Sequence, residues 1–151
     1  MFMDFGGEQQ KHELDYLKKT FTQKKLRELL RETKVGEPTL TNFTYQTSHN
    51  SIHHLTHLTK FTEQTKVRFE EAEQVVEWGG GYGNLARIFR KLNTKATYII
   101  VDLPIFSFIQ ALYLSLTVGA ENVNLILNKN SSIIPGKINI IPLESGILER
   151  L

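Results

Sequence analysis

Glu77 and the four glycines after it, in V-V-E-W-G-G-G-Y-G-N-L (75–85), are the residues whose types and spacing are best suited to chemistry. An apolar run ends in an acid, Gly79, Gly80, Gly81 and Gly83 fall within five positions, and a helical pattern starts at Asn84. Such a stretch suits a buried parallel strand that bends at once into a helix and leaves its backbone open to a ligand. Glycine accepts positive φ and has no Cβ to hold a ligand off the amides. The spacing E-x-G-x-G-x-G departs from the dinucleotide fingerprint G-x-G-x-x-G, which needs glycine where Asn84 stands. An acid beside the loop would repel a pyrophosphate and suits a ligand carrying positive charge. Asp102 closes the run T-Y-I-I-V-D roughly 20 residues beyond the loop, where a ribose diol is bound by a carboxylate. Leu103, next to it, is placed to pack on an adenine face.

A second group is His53, His54 and His57. His53 and His57 are four apart and share a helix face. The glutamate that makes H-E-x-x-H a hydrolytic zinc motif is missing, and no third ligand stands at recognisable spacing, so no metal is expected. Contact with a cofactor or substrate, or a hydrogen-bonded structural role, remain as readings. His54 and His57 are the candidates for a catalytic base.

These residues need a scaffold. Glu8 to Lys34 reads as one amphipathic helix stopped by Gly36 and Pro38, and Thr39 to Asn50 as an ordered loop. Ser51 then caps a helix from Ile52 to about Thr65. Gln74 to Glu77 is the first strand; Trp78, in the turn after it, either walls a pocket or sits in the core, and core is the preferred reading. The helix over Asn84–Leu92 has a buried stripe of Leu85, Ile88, Phe89 and Leu92, with Arg87, Arg90 and Lys91 facing out. Thr97–Asp102 is a continuous β-branched run expected of a fully buried parallel strand. Pro104 opens a helix ending at Gly119; a membrane span needs about 20 predominantly apolar residues, so this stretch reads as a buried crossover helix. Asn122–Leu127 is the third strand, Ile138–Ile141 a further short β run, and Ser145–Leu151 the start of a helix. Alternating strands and helices imply an α/β domain whose ligand sits at the carboxyl ends of the strands, where both acids arrive.

Bulk properties narrow the classes. With 151 residues the chain is long enough for one domain of ordinary size. A net charge of +2 gives no electrostatic case for nucleic acid. The absence of cysteine and of a signal-type apolar segment near Met1 fits a cytoplasmic protein with no membrane association.

The segments N-S-I-H-H-L-T-H-L-T-K-F, V-V-E-W-G-G-G-Y-G-N-L-A-R-I-F and Y-I-I-V-D-L-P resemble the sugar O-methyltransferase family, a branch of the class I S-adenosylmethionine-dependent enzymes. The resemblance covers roughly 50–151. It implies a partial Rossmann-like sheet with parallel strands in the order 3-2-1, preceded by N-terminal helices. The division is 1–50, a helical extension and loop, and 51–151, a cofactor-binding α/β domain lacking strands four to seven. By this similarity Glu77, Gly79, Gly80, Gly81 and Gly83 would line S-adenosylmethionine, Asp102 would hold its ribose and Leu103 its adenine. The helix starting at Ser51 would close over the cofactor, and the acceptor would be a sugar hydroxyl. Glu77 agrees independently, because this cofactor carries an ammonium and a sulfonium and no phosphate. Strand one, central in the family, becomes an edge here, which implies a homo-oligomer or a completing chain at that edge. A non-catalytic binding module is the alternative.

Overall fold

The computed structural model describes residues 5–143. The expected helix at Ser145–Leu151 lies outside them. The chain forms two compact units, Met1–Phe69 and Glu70–Leu151.

The first unit is helical. Helix α1 (Phe5–Thr20) and helix α2 (Gln23–Leu30) replace the single helix expected over Glu8–Lys34. The break comes at Thr22, whose hydroxyl accepts from the Lys25 amide and starts a new helix; capping here outweighs continued apolar periodicity. Helix α3 (His49–Thr65) begins earlier than expected because Ser48, not Ser51, is the cap: Ser48 Oγ accepts from the Ser51 amide. The Ser51 hydroxyl instead donates to Glu32, as does that of Ser48. Leu14, Leu17, Leu26, Leu29, Leu30, Ile52 and Leu55 form the unit's buried interior. Because α3 packs on α1 and α2, it belongs with them, and the units divide after Phe69 rather than after residue 50.

The second unit is α/β, with a four-stranded, all-parallel sheet compatible with a Rossmann-like fold. Its elements are β1 (Gln74–Trp78), α4 (Asn84–Leu92), β2 (Thr97–Asp102), α5 (Pro104–Val118), β3 (Val123–Leu125) and β4 (Ile138–Pro142). The strand order is β1-β2-β4-β3, so the neighbour of β2 is the Ile138 run and not the Asn122–Leu127 segment that the 3-2-1 order assumed. Burial explains the exchange. Every residue of β4 is buried, whereas β3 is three residues long, partly exposed and carries Asn124. The more apolar run takes the interior place. Asn139, buried within β4, is satisfied by the Ile134 amide and carbonyl, the Lys137 carbonyl and the Asn124 amide.

Among the described residues β1 lies at one edge, as expected. Its Val76 and Trp78 are 66% and 68% exposed, which corrects the reading of Trp78 as core. Both project from the same face of an edge strand, and no described neighbour covers them. Helix α4 also differs from expectation. Ala86, Ile88 and Phe89 are fully buried, but so is Arg87, and Arg90 is nearly so, while Leu85 and Leu92 are only partly covered. Arg87 is held locally, its Nε and Nη2 donating to Asn84 Oδ1 at 3.0 and 2.8 Å. Arg90 Nη1 donates to the Thr94 carbonyl at 2.8 Å, and burial weakens this side chain's hold on its proton.

Candidate functional site

The glycine segment leaves β1 and enters α4 at the carboxyl end of the sheet. The Gly79 amide donates to Val101 O at 2.9 Å, extending the β1–β2 ladder by one bond before the chain turns. The Gly83 amide then donates to Gly80 O at 2.8 Å, closing a tight turn, and Gly83 stands at the N-cap of α4. Gly79 and Gly81 have φ of 79° and 56°, conformations that cost an L-residue about 1–2 kcal/mol. A Cβ added at either would meet no atom within 4 Å, so the loop is open on that flank. Gly80 is constrained differently. A Cβ there would lie 2.7 Å from Ile100 Cγ2, 3.3 Å from Gln110 Nε2 and 3.4 Å from Glu77 Oε2.

Those contacts show which expected residues come together. Glu77, the glycine loop and Asp102 share one locus, and Gln110 of α5 joins them. Gln110 Nε2 donates to Asp102 Oδ2 at 2.7 Å and to Gly81 O at 2.9 Å. The other Asp102 oxygen accepts from the Leu103 amide at 2.8 Å. Glu77 Oε2 accepts from the Tyr98 hydroxyl at 2.9 Å. Burial pushes the Glu77 carboxyl above the usual carboxylate range; the Tyr98 hydrogen bond opposes this and the charge of Asp102 adds to it. Tyr98 is raised well above the ordinary phenol by burial and by the adjoining Glu77 charge, so it remains a donor. Tyr82, inside the loop, meets the Tyr113 ring edge-on at 5.0 Å, a second tie between loop and α5. Leu103 is half exposed beside Asp102.

Gln110 was not singled out from the sequence. A carboxamide amid the apolar run I-F-S-F-I-Q-A-L-Y-L is the signal that could have found it, since a buried amide must find partners. It is fully buried, and its Oε1 has no hydrogen-bond partner among the described residues.

His54 and His57 belong to the helical unit. There His53, half-buried, donates through Nδ1 to Glu13 Oε1 at 2.6 Å, and its ring lies 4.1 Å from that of His57. Among the described residues no group of three His, Cys, Asp or Glu side chains is arranged to hold a metal ion. No described helix is long and apolar enough to cross a membrane.

Comparison with protein-family models, with curated proteins and with solved structures finds no match to this chain.

Proposed function

We propose that the α/β unit binds S-adenosylmethionine and that the protein serves, in the cytoplasm, as a methyltransferase acting on a hydroxyl. The observation that carries this reading is the pair of carboxylates, Glu77 and Asp102, placed beside an open glycine loop and close enough for one charge to raise the other's proton affinity. Two acids in one partly buried locus favour a ligand rich in donors and positive charge. The residues fit such a ligand. Glu77 and Asp102 keep lone pairs beyond their internal bonds, and Gln110 Oε1 is an acceptor without a donor among the described residues. Gly79 and Gly81 leave open space where a side chain would stand.

When bound, S-adenosylmethionine would supply an activated methyl group: its S–CH3 bond would break as the acceptor oxygen takes the methyl, the thioether would leave as S-adenosylhomocysteine, and the hydroxyl proton would pass to a base or to water. The chain's own contribution is orientation, the main lever for a transfer between two bound groups. Asp102 is fixed by Gln110 and the Leu103 amide, and Glu77 by Tyr98, so neither acceptor must be ordered when a ligand arrives. A sugar as acceptor is suggested by the resemblance of the glycine and V-D-L-P segments.

Titration calorimetry with S-adenosylhomocysteine tests the reading. Saturable binding, with NADH binding much more weakly, is expected. Tighter binding of NADH, or no binding by the folded chain, overturns it.

One observation favours a second reading. With Val76 and Trp78 exposed and β1 at an edge of the sheet, paired among the described residues with β2 alone, the sheet can accept another strand, as expected of a binding module completed by a second polypeptide. Cofactor binding without turnover, together with a co-purifying partner, would favour it.

A further inference from the structure

Helix α5 is inverted relative to an ordinary surface helix. Its inward face carries Ser107, Gln110, Tyr113 and Leu114, all buried. Its outward face carries Ile105, Phe108, Ile109, Leu112 and Leu116, each between 42% and 65% exposed. These positions follow the i, i+3, i+4, i+7, i+11 spacing of one helical stripe. This corrects the expectation of a buried crossover helix: α5 does cross between strands, but its most apolar stripe faces away from the sheet. No Asp, Glu, Lys or Arg occurs from Leu103 to Ala120, so no charge on the helix discourages association.

We propose that this stripe is the contact between two copies of the chain, related by a two-fold axis with the α5 helices antiparallel. Half-exposed side chains of this size leave roughly 100 Å² each, so the stripe with its neighbour Phe106 offers about 600 Å² per copy. Two copies would bury about 1,200 Å², the lower bound for a specific, stable interface. A patch of this area also matches the largest found on typical monomers, where such patches are often functional. A membrane surface is disfavoured because interfacial helices carry Lys or Arg on their polar face, and α5 has neither. A stripe that meets itself is self-complementary by construction, and Leu112, near its middle, would lie close to the axis.

The test is the oligomeric state of the full 151-residue chain by sedimentation equilibrium. A species of twice 17.4 kDa is expected at micromolar concentration. Leu112→Glu should weaken association about 30-fold or more, as for a central apolar contact. Because Leu112 is solvent-exposed, the circular dichroism of this variant should match the parent. Val76→Glu, on the β1 edge, should leave the dimer intact. Mixing Leu112→Glu with Leu112→Lys should restore association as a mixed dimer. A monomeric parent chain, a dimer that survives Leu112→Glu, a dimer lost in Val76→Glu alone, or binding to anionic vesicles in place of dimerisation would each overturn the proposal.

Discussion

Gln110 and Asp102 are joined across the carboxyl end of the sheet by a 2.7 Å hydrogen bond, and the same amide nitrogen holds the Gly81 carbonyl. One side chain therefore ties β2, α5 and the glycine loop together. Gln110→Leu should leave the buried Asp102 carboxylate short of a donor and free the carbonyl of the exposed Gly81, costing about 1–3 kcal/mol in chemical denaturation of the α/β unit. Hydrogen exchange of the Gly83 amide, which closes the turn onto Gly80, should speed up in the same variant. Unchanged exchange would mean that the loop is held by its own turn and by Tyr82 alone.

Gly79 and Gly80 resist substitution for different reasons, and the difference is measurable. Gly79→Ala meets nothing but carries positive φ, so a loss of about 1 kcal/mol is expected from backbone strain alone. Gly80→Ala places its Cβ against Ile100 Cγ2, and overpacking of this kind costs about 1–3 kcal/mol. Adding Ile100→Leu, which removes that branch at similar volume, should recover part of the Gly80→Ala loss and none of the Gly79→Ala loss. Equal recovery in both would show that the loop moves as one body.

The two acids at the carboxyl edge of the sheet offer a binding prediction. Asp102→Asn and Glu77→Gln keep shape and remove charge, and each should weaken S-adenosylhomocysteine binding by about 1–3 kcal/mol, as for hydrogen bonds to charged groups. Equal affinity in both variants would leave the carboxylates without a role in ligand recognition.

Much of this locus was legible in the residues. The acid–glycine–helix sequence after β1 and the acid at the end of β2 specify their places through short-range rules, namely strand alternation, positive φ and helix start. The strand order was not legible, because whether β3 or β4 lies beside β2 depends on which run buries more surface, a comparison between distant segments. Arg87 and Arg90 read as solvent-facing by residue type, yet Arg87 is buried against Asn84 and Arg90 against the Thr94 carbonyl. The outward stripe of α5 read as core for the same reason: apolar residues announce that they need cover, not where the cover comes from.

Glu77 should make ligand binding pH-dependent. Its folded-state carboxyl holds its proton above the usual carboxylate range, so the folded unit binds more protons than the unfolded chain in that interval. Stability from this group is therefore full below the ordinary 4.5 and is lost as pH rises from there through the raised value. A cationic ligand acts in the opposite direction, favouring the carboxylate, and should bind more tightly as pH rises through the same interval with release of a proton. Calorimetry in buffers of differing ionisation enthalpy would detect the proton, and Glu77→Gln should abolish it.

His57 makes the converse prediction for the helical unit. Although His57 is a surface residue, desolvation by its neighbours and the charge of His53 hold its pKa below the ordinary 6.5; Lys60 acts in the same direction and Glu13 opposes them. The folded unit therefore takes up a proton on His57 less readily than the unfolded chain does. Its contribution to stability is full above pH 6.5 and falls as pH drops through 6.5 towards the depressed folded value. The thermal midpoint, followed by helical circular dichroism, should decline over that window. His57→Gln should flatten the decline, while His12→Gln, a substitution at an exposed position on α1, should not. A profile unchanged by His57→Gln would place the titrating group elsewhere in the unit.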